Sequence, residues 1–219
     1  MMSASPTTAP PGAVAGWRAG ATRRAVVTGL ALAVLAASFA ADLATGPALL
    51  PVTDVLEVLA GLSDDRMLQA IVLQLRLPIA VMAALIGAAL GLSGAVMQTI
   101  LNNPLASSYT LGISAGAGFG AALAILVGAS LPLPEEYAIP VAAFLFAGLA
   151  CAIVAGVGRL RGATPELLVL AGIACLFLFQ SLLSLLQFMA SPEALQQIVF
   201  WLFGSLMRAS MPKAAIVAA

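Results

Sequence analysis

Apolar side chains in this chain gather into long unbroken runs, with neither the alternation of a half-buried strand nor the narrow stripe of a surface helix. Five runs, at about 25–41, 79–101, 109–129, 138–157 and 167–189, approach the roughly 20 residues a helix needs to cross the hydrocarbon core. A sixth opens near Ala214 and is still open at the last residue, a pattern that predicts a chain continuing further. The connections at 102–108, 130–137 and 158–166 are short. The pattern predicts an all-α, polytopic helical membrane protein with five complete transmembrane helices and the start of a sixth. Its membrane domain would occupy residues 25–219, behind a disordered cytoplasmic tail at 1–24 that is rich in Pro, Ala and Thr at its beginning.

Between the first two runs the pattern changes. Val52, Val55, Leu56, Leu59 and Leu62 recur at helical spacing while Asp54 and Glu57 face elsewhere, which predicts a short amphipathic helix at the membrane surface, with Thr53 as its N-cap. Residues 61–66 break it, and a second short segment leads to Arg76.

Composition strengthens the membrane reading. Hydrophobic residues make up 62% of the chain and charged residues 8%, against about 45–50% and about 25% in a soluble domain. Nine basic and nine acidic residues cancel, so there is no nucleic-acid footprint, and the absence of histidine removes the commonest metal ligand and general base. Cys151 and Cys175 sit inside apolar runs without CxxC spacing and read as packing residues. Arg18, Arg23 and Arg24 before the first run could belong to a cleaved signal peptide, but the length of the run favours a retained helix. With the N-terminus inside, these three join Arg159 and Arg161, tight against helix ends; Arg66, Arg76, Arg208 and Lys213 then lie outside.

Glycines stand four apart at Gly87 and Gly91 and again at Gly112 and Gly116, a spacing that lets membrane helices approach closely and predicts a tightly packed hairpin. Between its arms, Asn102-Asn103-Pro104-Leu105 breaks the helix. The break reads either as a plain tight turn or as a polar constriction beside a pathway. Gln180, Ser184 and Gln187 give the fifth run one polar stripe, and Gln98 is a further amide inside an apolar run. Such amides either bond between helices or face an aqueous cavity. No run carries a charge in its middle third, and no phosphate loop, HExxH or nucleophile elbow is present. Nucleotide energy, if used, must come from another subunit.

The stretch from Leu75 reads LRLPxxxxAxxxGAxLxxSGxxxQxxxxNPLAxxxxLGxxxGA, with Leu75-Arg76-Leu77-Pro78, Asn103-Pro104-Leu105-Ala106 and Leu111-Gly112 among its fixed points. It resembles the FecCD-type permeases, membrane subunits of ABC importers for iron-siderophores, haem and vitamin B12. Leu170-Ala171-Gly172 and Trp201-Leu202-Phe203-Gly204-Ser205 look like further family features. The resemblance implies part of a ten-helix type II importer permease, multi-pass in a bacterial cytoplasmic (inner) membrane with its N-terminus cytoplasmic. A second permease copy, identical or related, would pair with it, two cytoplasmic ATPase subunits would bind the ATP, and an extracytoplasmic substrate-binding protein would dock outside. No cofactor of its own is implied. Arg76 matches the first of two arginines that pair with glutamates of the binding protein in this family; the second position is Ile79 here. Asn103, Pro104 and Leu105 match a cytoplasmic gate, while Gln98, Gln180 and Gln187 would line the pathway. The family's coupling helix and GLVxPH segment are not in this sequence. A permease for an unrelated substrate, a structural membrane subunit and a membrane-embedded enzyme are the competing readings, the last lacking clustered catalytic groups.

Overall fold

The computed structural model describes the backbone of residues 13–45, 50–128 and 134–218, with side chains from Ala21 onward apart from Ser108. These residues are mostly helical, with no strand among them. The chain divides into two compact units, one holding residues up to Ala84 together with 209–217, the other Leu85–Arg208.

The first unit begins with α1 (Ala13–Ala44), so residues 13–24, expected as tail, are helical; residues 1–12 lie outside the described part. Helix α2 (Val52–Leu59) follows Pro51, whose fixed φ of −55° suits a helix entrance. Thr53 is not the N-cap. It lies inside the first turn, and its hydroxyl donates to Asp54 Oδ1 at 3.1 Å. The buried face also differs from the expected one: Val55 and Val58 are buried, and Val52, Leu56 and Leu59 are exposed. An eight-residue helix with five apolar positions carries more than one apolar side. Val55 and Val58 meet Leu43 and Val72, and the remaining apolar residues are left to the surroundings.

Asp65 caps the next helix, accepting from the backbone N–H groups of Met67 at 2.8 Å and Leu68 at 3.2 Å. From there α3 (Arg66–Gln69), a wide-turned π segment (Ala70–Arg76) and α4 (Leu77–Ile100) form one 35-residue helix. The sequence pattern separated these pieces, because Pro78 ordinarily ends a helix. Pro78 lacks an N–H and its ring crowds the carbonyl four residues back. The turn before it is widened, with Leu77 N–H reaching the Val72 carbonyl five residues back, and the helix passes through. The short α9 (Met211–Ala218) lies largely in the first unit and buries Ala214.

In the second unit α5 (Ile113–Val127), α6 (Glu135–Arg161) and α7 (Pro165–Met189) pack on one another, and α8 (Pro192–Phe203) lies on α5. Helices α7 and α8 start alike. Thr164 and Ser191 accept from the N–H three residues on, proline takes the first helical position, and Glu166 or Glu193 stands at the positive end of the dipole. Phe119, Phe146 and Phe179, one from each of α5, α6 and α7, meet with ring centroids 5.0–6.4 Å apart. Around them Leu101, Leu111, Ala150, Val154 and Cys175 complete the core. Trp201 of α8 packs beside Ala121, Ala124, Ile139 and Ala143.

Among the described residues four helices are long and apolar enough to cross a membrane: Ala21–Ala44, Arg66–Ile100, Glu135–Arg161 and Pro165–Met189. The run at 109–129, expected as a full span, gives only the 15-residue α5 within the described residues. Its first residues are used otherwise, in a 3-10 turn (Ser108–Leu111) closed by Gly112.

Candidate functional site

The break after α4 is built from its own sequence. Asn102 takes the left-handed conformation with φ of 44°, a position usually held by glycine and next most readily by asparagine. Asn102 N–H then reaches the Thr99 carbonyl at 3.3 Å, and Asn103 N–H reaches that of Gln98 at 3.1 Å. These are the two closing bonds of a Schellman cap, which satisfies the Gln98 and Thr99 carbonyls at the helix end. Asn103 continues the turn: its Oδ1 accepts from Leu105 N–H at 2.9 Å, and its carbonyl accepts from Ala106 N–H at 3.1 Å. Pro104, which has no N–H, occupies the one place where none is needed. Leu105 is thrown outward, 85% exposed, while Ala106 is buried.

The polypeptide then returns against α7 through two glycines. A Cβ on Gly112, whose φ is 73°, would stand 2.6 Å from Leu176 N. A Cβ on Gly172 of α7 would stand 2.8 Å from the Thr110 carbonyl oxygen. Thr110 ties the turn internally, donating its hydroxyl to the Ser107 carbonyl at 2.6 Å. Backbone therefore lies on backbone in both directions, and the 3-10 turn that follows the Asn-Asn-Pro break is clamped to the third and fourth turns of α7.

Two open clefts flank the turn. The larger, about 620 Å³, is lined by Leu101, Asn102, Asn103, Pro165, Glu166 and Leu170 among others. The smaller, about 370 Å³, runs along Gln98, Thr99, Asn102, Asn103 and Pro104. Gln98 is thus brought to Asn103 and Pro104. Gln180 and Gln187 stand away from both clefts on α7, where Ser184 donates to the Gln180 carbonyl at 3.0 Å. The walls are apolar groups, amides and the Thr99 hydroxyl, which donates to the Ala95 carbonyl, with one carboxylate, Glu166. They can shape and obstruct a passage. Among the described residues no cluster of His, Cys, Asp and Glu could hold a metal ion.

The glycine pairs divide. Gly116 lies on α6, where a Cβ would meet the Phe146 carbonyl oxygen at 2.8 Å, whereas Gly87 and Gly91 have open space within 4 Å. The expected hairpin with glycine packing on both arms is therefore replaced by close approach of the second arm to α6 and α7. Arg76, expected to contact a binding protein, is held within the first unit. It is 9% exposed and donates Nη1 to the Leu43 carbonyl at 2.6 Å. Sequence reasoning named Asn102 only as part of the break and Gly172 only as a family feature, and it gave Glu166 no role. Asn102 had a readable signal, an asparagine just past an apolar run, but Glu166 reaches the cleft only through a contact distant in sequence.

The model of the FecCD transport family matches residues 20–219. The ferric enterobactin transport system permease protein FepD of Escherichia coli is 39% identical over 191 residues, covering 84% of this chain and 54% of FepD. The vitamin B12 import system permease protein BtuC of Vibrio parahaemolyticus is 37% identical over 142 residues, covering 65% and 42%. A solved metal-chelate type ABC transporter in an inward-facing conformation superposes with a TM-score of 0.72 at 31% identity, covering 88% of this chain and 57% of that one. The chain spans about half the length of the curated relatives it matches. With the match running through the clamp, the Asn-Asn-Pro turn and the apolar helices alike, this chain belongs to the FecCD transport family.

Proposed function

We propose that the chain serves in the permease subunit of an ABC importer that carries an iron-siderophore or a similar metal chelate, such as haem or cobalamin, across the cytoplasmic membrane. The observation that carries this reading is the continuous family match over residues 20–219, supported by the fold shared with a metal-chelate transporter. The protein supplies the passage and partner ATPase subunits supply the energy, the division of labour that membership of this transport family supports. A second permease copy would complete the passage.

The turn Asn103-Pro104-Leu105 serves as the cytoplasmic gate in this reading. It shares its cleft with the start of α7, which follows a short connection from the last turn of α6, where Arg159 and Arg161 stand. Basic residues tight against helix ends favour the cytoplasmic side, and the same rule places the N-terminus inside. The clamp through Gly112 and Gly172 fits a gate that moves with α7 as one body. An extracytoplasmic binding protein would dock on the face that carries α2 and Arg76, where Asp54 and Glu57 bracket the outward side. Gln98 lines the inner cleft, and Gln180 and Gln187 would line the passage deeper in the membrane.

Purification of the native assembly from membranes tests the reading. Co-isolation of a nucleotide-binding subunit, with ATP hydrolysis stimulated by a binding protein loaded with ferric siderophore, is the expected result. An assembly without any ATPase subunit would overturn it.

A further inference from the structure

Arg76 is a cation placed where the first unit has no room for one unless it is matched. Leu43 lies in the last turn of α1, whose final four carbonyls have no intrahelical N–H to meet. The Ala41 carbonyl is met by Thr45, through its N–H and its Oγ1, both at 2.7 Å. The Leu43 carbonyl is met by Arg76 Nη1 at 2.6 Å. A guanidinium at that end also opposes the negative pole of the helix dipole. Around this bond Leu43, Val55, Val58, Val72 and Ala80, none more than 4% exposed, form one cluster from α1, α2, the π segment and α4.

The wide turn explains how Arg76 reaches that place. Val72, Arg76 and Ala80 are all buried, four residues apart along one helix. At 3.6 residues per turn such a line drifts around the helix. The bond from Leu77 N–H to the Val72 carbonyl puts an extra residue into the turn and holds the line on one side.

We infer that Arg76 is a positioning residue, which caps the C-terminus of α1 and thereby holds α2 on the wide turn. This holds whatever the chain transports, and its test needs neither substrate nor partner.

Backbone amide exchange on the membrane-inserted protein decides it, with the variants Arg76→Met, which keeps the apolar stem, and Arg76→Lys, which keeps a cationic donor. The Met variant is expected to raise exchange across α2, including Ala60 N–H on the Leu56 carbonyl, by about tenfold or more, because local opening is set by local contacts. The Lys variant should stay within about threefold of the native protein, since a charge-assisted bond to the carbonyl survives. Amides of Gly116–Ala124 in α5 should be unchanged in both. Native exchange of α2 in the Met variant, or equal loss of protection in both variants, would overturn the inference. Should the Met variant fail to insert, the Lys variant decides alone: a protected α2 supports the cap, and an unprotected one overturns it.

Discussion

Glycine at equal spacing does unequal work in this chain. Gly112 combines a positive φ with a Cβ position 2.6 Å from Leu176 N, so alanine there meets both backbone strain and a backbone clash. Gly87 has neither, its Cβ position being open within 4 Å. Gly112→Ala should destabilise the protein by about 2 kcal/mol or more, combining strain with overpacking. Gly87→Ala should be neutral or stabilise by up to about 1 kcal/mol, alanine being the better helix former. Thermal unfolding of the two variants in detergent checks this, and equal Tm values would show that the clamp on α7 does not exist. The spacing motif reported that small residues were needed without saying where, because four-residue spacing is common to packed and open faces.

At the level of elements, the second unit is held by the meeting of α5, α6 and α7 at Phe119, Phe146 and Phe179. Phe179 is 3% exposed, with Phe119 and Phe146 on its ring. Phe179→Ala should cost about 3–5 kcal/mol, the usual loss when a buried phenylalanine is truncated. A smaller loss, measured by the shift in unfolding midpoint, would mean that the three helices are joined elsewhere. Of the elements themselves, α7 was legible to within two residues, since Thr-Pro-Glu stands before its apolar run, whereas α6 starts three residues before its apolar run and ends four after it, taking in Arg159 and Arg161. The helix Arg66–Ile100 was not legible as one piece. Pro78 signals a stop, and only a widened turn, which leaves no sequence signature, lets the helix continue. The buried side of α2 was misread for a related reason. With apolar residues on more than one side, its burial is settled by Leu43 and Val72, which come from other segments. The Asn-Asn-Pro turn was legible as a break, with a polar constriction as one of two readings, but the opposite wall of its cleft was not, because Pro165 and Glu166 arrive there by tertiary packing.

For the molecule as a whole, the proposed topology puts the Asn103-Pro104-Leu105 turn inside and α2 outside. Leu105 and Glu57 are both exposed, so a cysteine at either should react with a membrane-impermeant maleimide from one side only. Leu105→Cys is expected to be labelled from the cytoplasm and Glu57→Cys from outside; the reverse would invert the orientation and move the gate to the other face. The central claim is import. Its most direct measurement is uptake of a radiolabelled ferric siderophore into proteoliposomes containing the complete permease assembly with its ATPase, with the matching binding protein on the opposite side. ATP-dependent accumulation, abolished when ATP is replaced by a non-hydrolysable analogue, is the predicted result. ATP-dependent extrusion of the chelate, or accumulation indifferent to ATP, would contradict it.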